Sequence, residues 1–462
     1  MKKNILTILS LVFVFTINTN AQKQTPPAGG TPKDFKLPEK QVSTLPNGLR
    51  STLVHYGSLP KVDVQLIIKT GNVHEGANEV WLGDLTGLLM KEGTTTMNFK
   101  TISKKVAGMG GDVNINTGMD NVTISGSVLS EFAPDLIKVI GDIVMNPAFP
   151  ASELERLKSD LKRQLTVQKS VPQSQAQEKF FQIIYKDHPY GRYFPTEAML
   201  NSYTLDMAKG FYTKNFGAKR SVVYVVGKFD DKAVAQAIDE AFGKWVAGPD
   251  VSYPEAKQVR TNEIALIDRK DAPQSTVMLG LPTITPKDKD VVALQVTNSL
   301  LGGSFGSRIT SNIREDKGYT YSPFSTIQNR KGVSIWYEQA DVTSKDTGNS
   351  LQEIAKEIKR LQNEAPPKAE LEGIQRYMAG TFVLQNSNTG GIVNQLNFLD
   401  LHGLDDSYLT DRVKNIYAVT PEKVSQMTKD HFKYEDMTLV LVGDKKLLEK
   451  QIKQHEAAKK MK

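Results

Sequence analysis

The second half of the chain repeats the first half, and this repetition constrains the fold more than any other feature of the sequence. The segment "SELERLKSDLKRQLTVQKS", which begins at Ser152, aligns with "AELEGIQRYMAGTFVLQNS", which begins at Ala369. At nearly the same offset, "YTLDMAKGFYTKNF", which ends at Phe216, aligns with "VTPEKVSQMTKDHF", which ends at Phe432. Blocks that recur in the same order indicate a duplicated structural unit. The chain therefore predicts two tandem copies of one domain.

Each copy contains segments typical of both strands and helices. The apolar runs "VDVQLIIK" and "VVYVVG" of the first copy correspond to "QSTVMLGLPTI" and "TLVLVG" in the second, and stretches such as "FAPDLIKVIGDIVM" have helical periodicity. We expect an α+β fold in which each domain is a mostly antiparallel sheet with helices packed on one face. Proline and glycine favour a linker at residues 246–262, between domains at 41–245 and 263–462.

Residues 1–21 have the pattern of a secretory signal peptide. Two lysines precede an apolar run from Ile5 to Ile17, and small residues favour cleavage near Ala21. Because the run is shorter than the ~20 residues that span a bilayer, we expect an exported protein, periplasmic or extracellular, without a stable membrane anchor. An uncleaved anchor is the alternative. Residues 22–40 are rich in Pro, Gly and Lys and favour a flexible leader.

Composition excludes several functional classes. The chain has no cysteine, so it cannot be a lipoprotein anchored through cysteine, a disulfide scaffold or a thiol enzyme. The formal charge of +7 is spread along the chain, so nucleic acid is not an expected partner. The one concentrated basic stretch is the C-terminal "KKLLEKQIKQHEAAKKMK", which we expect to be a solvated helix end.

Four blocks carry a resemblance to a known family. They are "GGDVNINTGMDNVTISGSVL" from Gly110, "NPAFP" from Asn146, "HPYGR" from His188 and "LLGGSFGSRITSNIREDKGYTYS" from Leu300. With the tandem layout, these blocks resemble the insulinase (pitrilysin) family of metallopeptidases, which includes bacterial processing-type peptidases. The resemblance implies paired homologous domains, four of which enclose a chamber where unfolded peptides are cut.

The zinc motif of that family is degenerate in this chain. Active members carry His-x-x-Glu-His on a helix, in which two histidines bind zinc and the glutamate polarises the attacking water. In the stretch "WLGDLTGLLMKEGTTT", the alignment places Asp84 and Leu88 at the two histidine positions and Gly87 at the glutamate. The family's third ligand would fall near Lys162, where the nearest acid is Asp160. We therefore expect neither a metal site nor a catalytic base in this chain.

Other candidate sites are weaker. The stretch "HEGAN" begins at His74 like a zincin motif, but it has Asn78 at the second histidine position. His188 precedes a proline in a predicted loop and favours a structural role. The block "LLGGSFGSR" lacks the spacing of a phosphate-binding loop, so nucleotide binding is not expected.

The resemblance assigns a role to three other residues. In the second domain of active members, an arginine and a tyrosine seven residues apart point at the substrate, and Arg314 and Tyr321 have that spacing. A guanidinium can bind a peptide carbonyl, and a phenol can donate to the oxyanion of the transition state. The strand "GGDVNINTG" corresponds to one that accepts substrate as an added strand, which makes Asn114 a third candidate for substrate binding.

These observations predict a non-catalytic subunit of an insulinase-type zinc endopeptidase. The partner would be a chain of the same family that carries His-x-x-Glu-His and binds the zinc, and the shared site would cut unfolded peptides. On its own the chain is not expected to be active. Two alternatives stay open: a stand-alone peptide-binding or scaffold protein of the same fold, and a homodimeric hydrolase with unrecognised ligands.

Overall fold

The computed structural model describes residues Phe35 to Lys459, which form one compact unit. The predicted signal peptide, the leader up to residue 34 and the last three residues lie outside the described part of the chain. Two mixed sheets organise the described residues, one in each half of the chain. No helix of residues 35–459 is both long enough and apolar enough to cross a membrane.

The first sheet has six strands in the order β1-β2-β6-β3-β5-β4. Its strands are β1 (Lys40–Thr44), β2 (Arg50–His55), β3 (Lys61–Ile68), β4 (Asp112–Thr117), β5 (Val122–Leu129) and β6 (Ser221–Gly227). Strands β2 and β6 are parallel, and every other neighbouring pair is antiparallel.

The second sheet has five strands in the order β7-β11-β8-β10-β9. Its strands are β7 (Ile264–Asp268), β8 (Gln274–Thr283), β9 (Phe324–Arg330), β10 (Val333–Thr343) and β11 (Thr438–Gly443). Here β7 and β11 form the parallel pair. The order and directions repeat those of β2 to β6, so the predicted fold of two homologous, mostly antiparallel domains is confirmed.

Helices connect the strands in both halves. The first half contains α1 (Leu82–Lys91), α2 (Phe99–Gly108), α3 (Ala133–Met145), α4 (Leu154–Ser170), α5 (Pro172–Tyr185), α6 (Glu197–Ser202), α7 (Leu205–Asn215) and α8 (Asp231–Phe242). The second half contains α9 (Val291–Asn298), α10 (Arg308–Thr310), α11 (Thr347–Asn363), α12 (Lys368–Gln385), α13 (Thr389–His402), α14 (Ser407–Thr410), α15 (Arg412–Tyr417), α16 (Pro421–His431) and α17 (Lys445–Lys459). Two π-helical turns, Ser299–Gly303 and Ser311–Asp316, flank α10.

One face of each sheet packs against helices of its own half. Along β6, Val223 and Val225 point into this inner core of the first half, and Leu439 and Leu441 of β11 do the same in the second half. The residues between them point to the opposite face and are equally buried. Strands buried on both faces need a second covering layer.

That second layer is exchanged between the halves. Helix α5 of the first half covers the outer face of the second sheet, and α13 of the second half covers the outer face of the first. The buried contacts at the first place include Ala176, Phe180 and Ile184 against Met278, Ile335, Tyr337, Val440 and Val442. At the second place they include Ile392, Val393 and Leu396 against Val54, Ile67, Val222, Tyr224 and Val226.

Polar contacts fasten both exchanged helices. On α13, Asp400 accepts a hydrogen bond from Arg50 Nη2 at 2.8 Å and forms an ion pair with Lys69 Nζ at 2.7 Å. The Asp400 side chain is only 14% exposed, which strengthens these charge-assisted contacts. At the start of α5, Gln173 Nε2 donates to Asp341 on β10. The two halves are therefore joined by apolar and ionic contacts together.

The chain between Phe242 and Ile264 has no helix or strand, and it includes the predicted linker. It is nevertheless fastened, because the Tyr253 hydroxyl donates to Asp120 O at 2.9 Å and Val259 N donates to Ile184 O at 3.0 Å.

Both predicted ends of the mature chain make packing contacts within the described residues. In the predicted leader, the Phe35 ring lies 5.1 Å from that of Phe382. The prediction of a solvated C-terminal helix end is wrong, since Leu448 and His455 of α17 are fully buried. His455 Nδ1 is 2.8 Å from the Tyr434 hydroxyl. Apolar residues spaced between the lysines of this tail form a stripe that packs against α11.

Candidate functional site

Helix α1 carries the positions at which the zinc motif was expected. It begins after Trp81, whose φ of 70° is left-handed and costs about 1–3 kcal/mol for a residue other than glycine. The carboxyl group of Glu75 stabilises this start: Oε2 accepts the Trp81 N–H at 3.0 Å, and Oε1 accepts that of Gly83 at 2.8 Å. Glu75 therefore caps the helix from outside it.

The buried carboxyl group of Glu75 and the half-buried one of Asp84 meet at the start of α1. Asn72 Nδ2 donates to Glu75 Oε1 at 2.9 Å and to Asp84 Oδ2 at 2.6 Å. Burial, helped by the neighbouring charge of Asp84, raises the pKa of Glu75 to about 8. Burial also raises the pKa of Asp84 to about 6. Near neutral pH the pair therefore holds a proton, and Asp84 is committed to this network.

Two glycines let α1 lie directly on strand β4. A Cβ atom at Gly87 would be 2.9 Å from Thr117 Oγ1, and one at Gly83 would be 3.1 Å from Glu75 Oε1. The Thr117 hydroxyl also donates to Gly83 O at 3.2 Å. A side chain as long as glutamate has no room at Gly87 in this arrangement.

The residues at the motif positions do not fit a zinc ion. Zinc needs three protein donors in a catalytic site, and Asp84 is the one donor that the three positions supply. Leu88 packs against the core of the first half. Lys162 is half-buried on α4, and Asp160 forms ion pairs with arginines of its own helix. Within residues 35–459, no three His, Cys, Asp or Glu side chains are grouped to hold a metal.

The two histidines weighed at the sequence level make structural contacts. His74 Nε2 is 2.6 Å from Ser252 O, and His188 Nε2 is 3.3 Å from Pro254 O. Both contacts reach the segment that connects the halves. Burial lowers the pKa of each imidazole below its ordinary value.

Strand β4, which carries Asn114, lies at the edge of the first sheet. Within the described residues no strand pairs with its outer side, so that side offers backbone donors and acceptors. Asn114 is exposed and donates to Asp112. The edge is thus accessible to an extended peptide, which can add as a further strand.

A cavity of about 290 Å³ lies between β4 and α2. Its lining is mostly apolar: Phe99, Ile102, Val106, Val113, Ile115 and Ile143, with Lys91 beside them. Because side chains of a strand alternate between faces, an added strand would direct every second side chain to the cavity's side of the sheet. The cavity could receive an apolar side chain there.

Arg314 and Tyr321 lie together at the surface of the second half. The Arg314 guanidinium carbon is 4.9 Å from the centre of the Tyr321 ring. Tyr321 is 77% exposed, whereas the Arg314 side chain is 23% exposed. The structure brings together the two residues that the resemblance singled out, and Asn114 belongs to the other half.

Sequence analysis missed two residues at these places. Phe305, in the loop after the first π-helical turn, lies 4.3 Å from the Arg314 guanidinium on its ring face. The sequence carries no signal for this contact, because Phe305 stands between Leu301 and Ile309 and looks there like a residue of the core. Glu75 belongs to the "HEGAN" stretch that was set aside, and its capping role depends on a fold that the stretch alone does not reveal.

Comparison with known proteins decides the family. Residues 53–195 match the family model described as insulinase (peptidase family M16), and residues 202–378 match the peptidase M16 inactive domain. Together the two models cover more than half of the chain. The chain belongs to the M16 peptidase family.

M16 relatives match along most of their length. The chain is 24% identical to an "uncharacterized zinc protease" of Bacillus subtilis, over 87% of this chain and 97% of that protein. It is 22% identical to another of that description from Mycobacterium leprae, over 89% and 94%. The fold matches a solved M16 inactive domain from Pseudomonas fluorescens, with a TM-score of 0.80, 24% identity and coverage of 88% and 98%.

Proposed function

We propose that this M16 chain is an exported, non-catalytic subunit of a zinc endopeptidase. It pairs with a family member that carries His-x-x-Glu-His, and it contributes Arg314 and Tyr321 to the shared site. Zinc is bound by the partner, and the substrate is an unfolded peptide. Export follows from the signal-peptide pattern of residues 1–21, with cleavage near Ala21.

One contrast carries this proposal. At the three motif positions, Asp84 belongs to a hydrogen-bonded acid network, Gly87 packs on Thr117 and Leu88 packs against the core, so they supply no site of their own. Arg314 and Tyr321 lie at the surface, with the Arg314 guanidinium carbon 4.9 Å from the centre of the Tyr321 ring. A chain whose own helix cannot bind zinc has a use for these donors only if the oxyanion forms on a metal held elsewhere.

The decisive experiment compares the chain alone with a mixture. The mature chain is assayed for zinc content and for cleavage of an internally quenched, unstructured peptide. It is then mixed with each chain of the same genome that carries the M16 zinc motif. We expect no cleavage by the single chain and metal-dependent cleavage by one mixture. Stoichiometric zinc and cleavage by the chain alone would overturn the proposal in favour of the homodimeric hydrolase.

A second candidate function is peptide binding without cleavage, by the chain alone or as part of a scaffold. The observation in its favour is the accessible edge of β4 beside an apolar cavity, which needs no metal to bind an extended peptide. If no mixture cleaves and the chain still binds unstructured peptides, this function replaces the first.

A further inference from the structure

Two aromatic side chains from two loops stack on the guanidinium of Arg314, which belongs to the second π-helical turn. The guanidinium lies 4.3 Å from the centre of the Phe305 ring and 4.9 Å from that of Tyr321. Phe305 is 68% exposed and Tyr321 is 77% exposed. We call Phe305, Arg314 and Tyr321 the aromatic clamp. Aromatic rings that are exposed beside a charged group contribute more to ligand binding than to folding stability.

The base of the clamp is fixed while Phe305 itself projects into solvent. Arg308 forms a bidentate pair with Glu370, with Nε and Nη2 each 2.8 Å from a carboxylate oxygen. Before the loop, a Cβ at Gly303 would be 2.4 Å from Asn298 Nδ2, so the turn lies tightly on its neighbours. The loop therefore holds Phe305 near Arg314 without burying it.

This arrangement leaves a defined set of donors for a ligand. Rings on the guanidinium attract it through their π-systems and leave the in-plane N–H groups free to donate. Among the described residues, the ionic partner of Arg314 is Glu315, whose oxygen is 3.1 Å from Nε. Glu315 is itself largely exposed, so this pair is weak and can be displaced. The matching ligand group is a planar carbonyl or carboxylate flanked by apolar atoms.

We propose that Phe305 is a positioning and specificity-determining residue, which orients Arg314 and contacts an apolar side chain of the peptide whose carbonyl or carboxylate Arg314 binds. This inference rests on the proposed function for the identity of the ligand as a peptide. It adds a residue to the site, and it assigns the site a preference for apolar side chains beside the bound oxygen.

The binding test uses the mature chain and a short unstructured peptide that carries leucines and an N-terminal fluorophore. The peptide is made with a free C-terminal carboxylate and with a C-terminal amide, and binding is followed by fluorescence anisotropy. Tighter binding of the free acid identifies the terminal carboxylate as the bound group, and equal binding identifies an internal carbonyl. Absence of binding up to about 1 mM peptide would overturn the proposal.

Substitutions of Phe305 distinguish the effect of its aromatic ring from the effect of its apolar bulk. Phe305→Ala is expected to raise Kd about fivefold to tenfold, and Phe305→Trp is expected to retain affinity because indole gives the strongest cation–π contact. Phe305→Leu keeps apolar bulk without the ring and should fall between them. The matched control is Tyr377→Ala, which removes another exposed aromatic, 51% accessible, from α12. Equal effects of the alanine variants at 305 and 377 would overturn the proposal.

A double-mutant cycle tests whether Phe305 acts through Arg314. In an Arg314→Ala background, Phe305→Ala should raise Kd by a smaller factor than in the unmodified chain, because the guanidinium that it orients is gone while its contact with the apolar side chain of the peptide remains. Full additivity of the two substitutions would overturn the positioning role. The melting temperature of each variant should match that of the unmodified chain, since Phe305 makes few buried contacts.

The mixed enzyme distinguishes failure of this inference from failure of the proposed function. If a mixture cleaves peptide and Phe305→Ala leaves both KM and kcat unchanged, the proposed function stands and the role assigned to Phe305 is wrong. If no mixture cleaves while the peptide affinities respond as above, the role of Phe305 stands and the proposed pairing with a zinc-binding partner is wrong. A rise in KM that Phe305→Trp reverses supports both.

Discussion

Helix α1 and the aromatic clamp occupy opposite kinds of surroundings. At the start of α1, the Glu75 and Asp84 carboxyl groups both accept hydrogen bonds from Asn72, and a Cβ at Gly87 would be 2.9 Å from Thr117 Oγ1. In the clamp, Phe305 and Tyr321 expose most of their surface. The first region has become part of the core, while the second makes little contribution to it.

Under the proposed function, this difference separates the part of the site that the partner supplies from the part that this chain supplies. A helix without metal ligands can make packing contacts and internal hydrogen bonds, so substitutions there should act on stability. The exposed residues around the Arg314 guanidinium contribute little to folding stability, so substitutions there should act on binding and turnover. The predictions below test each side of this contrast, from the largest expected effect to the smallest.

The largest effect is expected for the donors of the clamp. Tyr321→Phe removes the hydroxyl that would donate to the oxyanion, and Arg314→Ala removes the guanidinium. Each should lower kcat of the mixed enzyme by about 100-fold, the usual cost of one such donor. Steady-state kinetics give the loss, and size-exclusion chromatography checks that assembly is intact. Unchanged turnover would favour the scaffold alternative.

The acid pair should make stability depend on pH. Both pKa values are raised, Asp84 to about 6 and Glu75 to about 8, so the folded chain holds protons that the unfolded chain releases. Folding stability should therefore fall as pH rises from about 4 to about 8. Asp84→Asn removes one charge and lowers the pKa of Glu75, so it should lose less stability over this range.

The difference between Asp84→Asn and the unmodified chain should reach on the order of 2 kcal/mol at the alkaline end. Urea denaturation at several pH values measures it. The matched control is Asp187→Asn, at an exposed turn outside the pair, which should follow the unmodified chain. Parallel pH profiles for the Asp84→Asn variant and the unmodified chain would show that the carboxyl groups do not share a proton.

The contact between α1 and β4 predicts opposite results for two Gly→Ala substitutions in helices. At Gly87 the new Cβ would be 2.9 Å from Thr117 Oγ1, and overpacking should cost about 1–2 kcal/mol despite alanine's better helix propensity. At Gly210 nothing lies within 4 Å, so alanine should stabilise by about 0.5–1 kcal/mol.

Denaturant unfolding at fixed pH distinguishes these two cases. Adding Thr117→Ala should recover part of the loss caused by Gly87→Ala, because it removes the atom in the way. A stabilising Gly87→Ala would mean that α1 can move away from β4, and the tight contact between them would then not explain the glycine at this position.

The smallest effect is expected for the stability of the clamp variants. Phe305→Ala and Tyr321→Ala should change the free energy of unfolding by less than about 0.5 kcal/mol, because these side chains are mostly exposed. Thermal and urea unfolding provide the measurement. A loss of more than about 2 kcal/mol of unfolding free energy at either position would mean that the clamp contributes to folding stability as the residues of α1 do.

Much of the fold could be predicted because its signals are local. The runs that form β3, β6, β8 and β11 are apolar and β-branched, and their recurrence in the same order at similar offsets indicates the duplication. The motif helix also lies where predicted, since α1 ends just before the "EGTTT" turn. Local pattern and spacing suffice for such elements.

The remaining features depend on which surfaces meet. Helix α5 has an apolar stripe, and its sequence does not specify whether that stripe covers the sheet of its own half or that of the other. Glu75 caps a helix that starts several residues later, across a left-handed Trp81. Phenylalanine is a residue type common in protein cores, and only the structure shows that Phe305 stacks on Arg314.

The exchange of α5 and α13 has a consequence for what counts as a folding unit. Each half would leave the outer face of its central strands bare if expressed by itself, so a truncated half should aggregate rather than fold. Conversely, a protease that cuts once between Phe242 and Ile264 would not release two fragments, because one helix of each fragment still packs on the sheet of the other. The duplication has thus produced an interlocked pair, whose cohesion no longer depends on the peptide bond that joins it.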